Sequence, residues 1–191
     1  MTSDLTWLSK AVTCRRIDDP DEALQLLDQF LPVYRIVNRE APYLEDENDV
    51  QAFASSWPRR VGQPGFRLAL AEVDGQAVGY GFGHQLVVNT RWWKGATGPL
   101  DVDTAEVPGR TFAVIEFAVL AEFRRQGIGH RLHALLLSPS TEERVTLLVR
   151  TEDEAAPARA LYAGLGYRRV GEITPFEGAP TYAAMVRDRE S

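Results

Sequence analysis

Thr111-Phe-Ala-Val-Ile-Glu-Phe-Ala-Val119 runs into Leu120-Ala-Glu-Phe-Arg-Arg-Gln-Gly-Ile-Gly-His-Arg-Leu132. An apolar β-capable run thus passes through an Arg/Gln/Gly turn straight into a helical pattern. Gly127 and Gly129 remove side chains where backbone N–H groups must approach an oxyanion, and the unpaired donors and dipole of the helix start favour negative charge. Arg124, Arg125 and Arg131 add positive charge there. Two glycines near arginines also describe an ordinary strand-to-helix connection with solvated arginines, so the neighbouring segments must decide. No Gly-Lys-Ser/Thr follows and the spacing is not GxGxxG, which removes support for nucleotide hydrolysis and hydride transfer.

Downstream, the pattern predicts a helix over Gly127–Leu137, a strand over Arg144–Thr151, a helix over Pro157–Leu165, and strands over Tyr167–Ile173 and Thr181–Arg187. Upstream, Phe66–Val73 and Ala77–Val88 are β-capable runs joined by Asp74-Gly75, a hairpin signal. Val12–Ile17 is a short strand candidate. Asp19-Pro20-Asp21-Glu22 reads as N-cap, N1 proline and capping-box glutamate of a helix carrying Leu24, Leu27, Leu31 and Tyr34, which Pro32 should kink or divide. Val50, Phe53 and Trp57 suggest a second helix closed by Pro58. Between Asn89 and Arg110 lies a loop long enough to be functional or mobile, with Trp92 and Trp93 in it. Alternating β and α elements plus a hairpin predict an α/β fold: one mixed parallel and antiparallel sheet of about six or seven strands flanked by helices.

The 191 residues, 45% hydrophobic and 25% charged, fit one globular domain with a substantial core. We expect a single domain over 1–191, with 1–60 as a variable arm of strand and helices and 66–187 as the sheet and ligand-binding core. Twenty-one Lys+Arg against 27 Asp+Glu give a net charge of −6, which repels polyanions, so no nucleic-acid partner is expected. Cys14 is the only cysteine, excluding an intramolecular disulfide and a Cys/His zinc set; no metal is expected. Met1–Arg16 lacks a basic lead with an apolar segment, and no run approaches the ~20 apolar residues of a membrane span. A cytoplasmic protein without a membrane partner is the expectation.

Arg124-x-x-Gly127-x-Gly129 resembles the Arg/Gln-x-x-Gly-x-Gly/Ala signature of the GNAT superfamily of N-acetyltransferases. Val149-Arg-Thr, followed by Ala156-Pro-Ala-Arg-Ala-Leu-Tyr-Ala-Gly-Leu-Gly-Tyr-Arg-Arg-Val-Gly171, is similar to the family's fifth strand, its helix with a Leu-Tyr pair, and the Gly-Tyr entry to its sixth strand. The resemblance is strong over Phe112–Gly171 and holds in element order over Phe66–Arg187. It implies acetyl-coenzyme A as co-substrate, with the pyrophosphate held at Arg124, Arg125, Gln126, Gly127, Ile128, Gly129 and His130. It also implies a backbone N–H for the acetyl carbonyl from Phe117, Ala118 or Val119 at the splayed end of the fourth strand. The family often carries an Asn seven residues before the helix tyrosine, where this chain has Ala155. Dimerisation is common in the family, so a homodimer is an open expectation.

Acetyl transfer to an amine needs a base, a polarised carbonyl and a proton for the departing thiolate. The resemblance makes Tyr162 the general acid; the alternative is a core tyrosine packed with Ala158, Leu161 and Leu165. Glu116 is the one charge in its strand, and period-two alternation puts it on the face of Phe112, Val114 and Ala118. Burial there would raise its pKa and suit a base; the alternative is an ion pair with a neighbouring arginine such as Arg150. His84 is a weaker candidate base. His130 and His133 share a helix face without the carboxylates or cysteines of a metal site and read as solvated. Trp92 and Trp93 are candidate walls of an acceptor pocket, the alternative being a ring that anchors the loop onto the core; their loop's Asp101, Asp103 and Glu106 could attract a cationic amine but read as solvated. The expectation is transfer to a primary amine, of a small molecule in preference to a peptide, by direct attack in a ternary complex. A protein or peptide acetyltransferase and a non-catalytic acyl-CoA sensor stay open.

Overall fold

The computed structural model describes residues 11–189; the first ten residues of the Met1–Arg16 stretch discussed above lie outside them. Strand β1 (Thr13–Ile17) is followed by helices α1 (Pro20–Gln25), α2 (Leu27–Arg39) and α3 (Glu47–Val61). The hairpin β2 (Arg67–Val73) and β3 (Gln76–Gln85) comes next, then β4 (Thr111–Val119), α4 (Ile128–Leu137), β5 (Arg144–Arg150), α5 (Ala156–Gly164), β6 (Arg168–Ile173) and β7 (Tyr182–Asp188). The seven strands form one sheet in the order β1-β2-β3-β4-β5-β7-β6, antiparallel throughout except for the central β4–β5 pair.

Local chemistry explains the elements. Asp74 and Gly75 both have positive φ (50° and 76°), the geometry a two-residue hairpin turn requires. Asp19 caps α1 as expected, accepting from the amides of Asp21 and Glu22, while the Glu22 carboxylate pairs with Arg15. The prolines do less than expected. The helical run breaks at Leu26, and Pro32 sits inside α2. Pro58 does not close α3, which continues to Val61. Both proline rings are exposed, so the carbonyls that lose an N–H partner lie on a solvent-facing side of the helix. The start of α3 is a capping box between Asp46 and Asp49, hidden in sequence within an acidic run.

Three apolar clusters hold the layers together. Helices α1–α3 cover the β1–β4 half of one face, with Phe30, Phe53, Trp57, Tyr80 and Phe82 at their centre. Helices α4 and α5 cover the opposite face through Ile128, Leu132, Leu136 and Tyr162. The long loop fills the remaining half of the first face, packing Leu86 and Trp93 against Ala113, Ile173 and Val186. It runs along the sheet edge, with Thr97 N–H donating to Glu172 and Asp101 N–H to Val170. Gly95 is obligatory in that run: at φ 79°, a Cβ there would lie 2.1 Å from the Thr174 carbonyl oxygen.

Candidate active site

The site begins with one extra residue in β4. Val114 pairs with Gly83 and Glu116 with Phe82, leaving Ile115 as a bulge. The bulge inverts the alternation, which corrects the sequence reading of Glu116. Phe112 and Val114 pack towards α4 and α5, whereas Glu116, opposite Phe82, faces α2 and α3 with Ala118.

The same bulge marks where the sheet opens. Parallel pairing of β4 with β5 covers Thr111 to Val114 only, and beyond it the two strands diverge. Leu120 N–H donates to the Val78 carbonyl, so Ala118 and Glu116, two and four residues back, exchange their backbone bonds with β3. Phe117 and Val119 therefore turn their amides and carbonyls towards the gap. The Val119 carbonyl is taken by Arg124 Nε at 2.9 Å. The Phe117 N–H faces a cavity of about 160 Å³ in the gap, whose lining includes Glu116, Tyr162, Glu45, Tyr43 and Tyr182.

Glu116 has no ion-pair partner among the described residues; Arg150, its suggested partner, instead binds Glu152 at 2.6 Å. Burial pushes the Glu116 carboxyl up to about 7, with Arg60 pulling the other way and Glu45 adding to the rise. Tyr162 is buried, its ring edge-on to Phe117 and Tyr167, and burial raises its pKa well above the ordinary phenol value. It is a neutral phenol able to donate a proton into the cavity it lines.

On the far side of β4, Gly127 adopts φ 78° and caps α4, with nothing within 4 Å of where a Cβ would stand. The first intrahelical bond is Arg131 N–H to Gly127, so the amides of Ile128, Gly129 and His130 are left without a protein acceptor among the described residues. Arg124 is already held by Glu40 at 2.8 Å, and Arg131 by the Val12 carbonyl at 3.0 Å. Arg125, exposed at φ 60°, forms no ion pair among the described residues. Gln126 reaches back to the Glu122 carbonyl and steadies the turn.

A model of the acetyltransferase (GNAT) family matches residues 29–167, well over half of the sequence. The chain belongs to that family. No curated protein sequence matches it. Among solved structures, Ard1 from Thermoplasma volcanium is similar with a TM-score of 0.59 at 20% identity, covering 95% of this chain and 99% of that one. The PaiA N-acetyltransferase from Thermoplasma acidophilum in complex with coenzyme A gives 0.59 at 9% identity, covering 94% and 99%. An aminoglycoside 6'-acetyltransferase type Ii gives 0.62 at 17%, covering 92% and 96%. These likenesses establish the GNAT fold. The protein is accordingly an acetyltransferase that uses acetyl-CoA, and the free amides and open left-handed glycine at the start of α4 suit the coenzyme's pyrophosphate.

Other sequence candidates sit elsewhere in this GNAT enzyme. Trp93 is buried and donates to Glu106 at 2.9 Å, and Trp92 donates to Thr146 at 3.3 Å, so both rings anchor the loop on the sheet, away from the cavity of Glu116 and Tyr162. The loop acids are not free. Glu106 is buried against Arg144 at 2.8 Å, Asp103 pairs with Arg110 and Asp101 with Arg168. His133 is not solvated: it is 2% exposed, bonded to the Tyr167 hydroxyl at 2.9 Å, and burial lowers its pKa to about 4. His84 meets the Gln85 carbonyl, and burial lowers its pKa too. Ala155 is buried in the core and brings no polar group to the site. Sequence reasoning missed Tyr43, Glu45 and Tyr182, which the fold collects from a polar connection and a strand end. Glu45 stands in the run Glu45-Asp-Glu-Asn-Asp49, which reads as a solvated helix start.

No helix among the described residues is long and apolar enough to cross a membrane.

Proposed function

We propose that the enzyme transfers the acetyl group of acetyl-CoA to a primary amine of a small molecule by direct attack in a ternary complex. The observation that carries this reading is the convergence of Glu116, the Phe117 N–H and Tyr162 on one cavity where β4 and β5 part. The amides of Ile128 to His130, with Arg125, hold the pyrophosphate at the start of α4, which points the thioester arm into the gap between the strands. Glu116 takes a proton from the attacking amine, either directly or through a water. The Phe117 N–H stabilises the carbonyl oxygen as charge develops on it, and Tyr162 gives its proton to the departing thiolate. The raised pKa of Glu116 matches a base working near neutrality.

A small acceptor is favoured because the approach is bridged. Arg150 Nη2 donates to the Pro42 carbonyl at 3.2 Å, with its guanidinium 5.9 Å from the Tyr43 ring centroid and 5.8 Å from that of Tyr182. That contact ties the α2–α3 connection to the end of β5 across the approach, whereas a peptide calls for an open groove. The test is isothermal titration with acetyl-CoA, followed by a mass-spectrometric screen of small amines and peptide pools. Saturable binding and acetylation of small amines is the expected result. Acetylation of peptides alone would overturn the small-molecule reading, and binding without any transfer would leave an acyl-CoA sensor.

A further inference from the structure

Tyr80 lies on β3, paired across the strands with Ala118 and diagonal to Glu116. Its ring is fully buried against Phe30 at a centroid distance of 4.6 Å, and its hydroxyl has no hydrogen-bond partner. A buried, unpaired phenol is destabilising, and a phenylalanine would fill the same apolar position without that cost. The groups acting on it electrostatically are Glu116, Tyr34 and Glu45, with Arg60 the cation. Tyr34 is buried on α2, stacked on Phe53 at 3.9 Å, and donates its own hydroxyl to Glu45. Glu45 is half-buried on the α2–α3 connection. The orphaned hydroxyl thus shares its surroundings with Glu116 at the sheet and with a phenol–carboxylate pair.

We propose that Tyr80 is a positioning residue that holds a water between Glu116 and the Tyr34–Glu45 pair, giving the base a proton outlet beneath α2. The inference rests on Glu116 being the base of the proposed transfer. Once donor and acceptor fill the gap between β4 and β5, the direct route from Glu116 to solvent is closed. The proton must then leave beneath α2. The steps balance as a pure proton transfer. The Glu116 carboxylate gains one proton from the amine and yields it to the water on Tyr80. That water passes one to the Tyr34 oxygen as Tyr34 gives its own to Glu45, and Glu45 releases one to solvent. Burial keeps both phenols neutral, so each can accept and donate in turn. The other groups facing Glu116 are Arg60 from α3, Tyr162 from α5, Tyr182 from β7, and Tyr43 beside Glu45.

The test reads Glu116 in the free, full-length protein by carboxyl-carbon NMR titration, with Glu116→Gln assigning the signal. Tyr80→Phe and Tyr34→Phe each keep their ring and their packing. Loss of a water hydrogen bond to the carboxylate should lower the Glu116 acid dissociation constant roughly tenfold in either variant, the scale of one hydrogen bond to a charged group. The double variant should show the same shift as each single one, because both break one chain. If Tyr80→Phe leaves the midpoint unmoved, or the two single effects add, the outlet is refuted and the hydroxyl is only a buried orphan. Should one variant fail to fold, the other still gives the single-variant result. Acetyl-CoA calorimetry on the same samples keeps the questions apart. Failure of the wild-type protein to bind would sink the acetyl-transfer reading while leaving the NMR answer standing.

Discussion

Glu116 is the residue at which stability and catalysis oppose one another, and Glu116→Gln separates them. Burial raises its carboxyl from the ordinary 4.5 to about 7 in the folded chain. Between those values the folded state holds a proton that the unfolded state has released, so the group's contribution to stability falls as pH rises through this window and is flat above it. At 1.36 kcal/mol per pH unit, the difference amounts to about 3 kcal/mol lost by pH 8. Glutamine has nearly the same shape and does not titrate. The variant should therefore match the wild-type protein near pH 4.5 and exceed it by up to about 3 kcal/mol at pH 8, an increase on the order of 1 M in the urea midpoint. The same variant should lose about 10²- to 10⁴-fold in kcat if the carboxylate is the base. Urea denaturation at pH 4.5, 6 and 8, beside an acetyl-transfer assay, measures both. Parallel stability profiles for the two proteins, or a less stable variant at pH 8, would refute the claim that an unpaired carboxylate is held in this gap.

Tyr162→Phe should keep the fold and the acetyl-CoA affinity while lowering kcat by 10²-fold or more, read by calorimetry and steady-state kinetics. Gly129→Glu should abolish acetyl-CoA binding with circular dichroism unchanged, because a Cβ there meets only ordinary contacts with Leu161 at 3.6 Å and Phe117 at 3.7 Å while the carboxylate repels the pyrophosphate. Glu142 is buried; burial alone would raise its pKa, but hydrogen bonds from Ser140 and Gln85 and the charge of Arg67 hold it near 2. Its contribution is present above about pH 4.5 and lost as pH falls towards 2, so Glu142→Gln should cost about 3–5 kcal/mol at pH 7 by stranding Arg67, with the two urea midpoints converging in acid. Trp93→Ala should cost about 3 kcal/mol in denaturation yet leave acetyl-CoA affinity intact, since the ring packs against Ala113, Ile173 and Val186 and does not line the cavity.

The turn from β4 into α4 was legible because its information is local: an apolar run, two glycines and a helix start all lie within 22 residues. The hairpin at Asp74-Gly75 was legible for the same reason. The bulge at Ile115 was not, since nothing in a run of alternating apolar residues marks which one is left unpaired, and strict alternation then put Glu116 on the wrong face. Tyr43, Glu45 and Tyr182 reach the cavity only through tertiary packing of the α2–α3 connection against β5 and β7. For Trp92 and Trp93 the sequence left two readings open, a pocket wall and an anchor for the loop. Aromatic residues in a long loop suggest a binding wall, but this loop crosses an otherwise uncovered half of the sheet and needs large rings to bury it.

Opening a sheet at its centre exposes backbone groups that a continuous ladder would pair, and the way they are satisfied says what the gap is for. Arg124 takes the Val119 carbonyl, and Arg159 takes the carbonyls of Arg150 and Glu152 at 2.7 and 2.8 Å. The chain thus supplies cationic donors for carbonyls at the ends of both diverging strands. Among the described residues it supplies no matching acceptor for the Phe117 N–H, or for the amides of Ile128 to His130 across the turn. What remains unpaired along this path is the Phe117 N–H and carbonyl at the cavity and a cluster of amides at the helix start. These amides suit an oxygen that carries or develops negative charge at either end. A single inserted residue in β4 inverts the alternation and turns Glu116 to the opposite side of the sheet from the helices that hold Tyr162. In the proposed transfer, base and acid thereby act from opposite faces, with the Phe117 N–H between them.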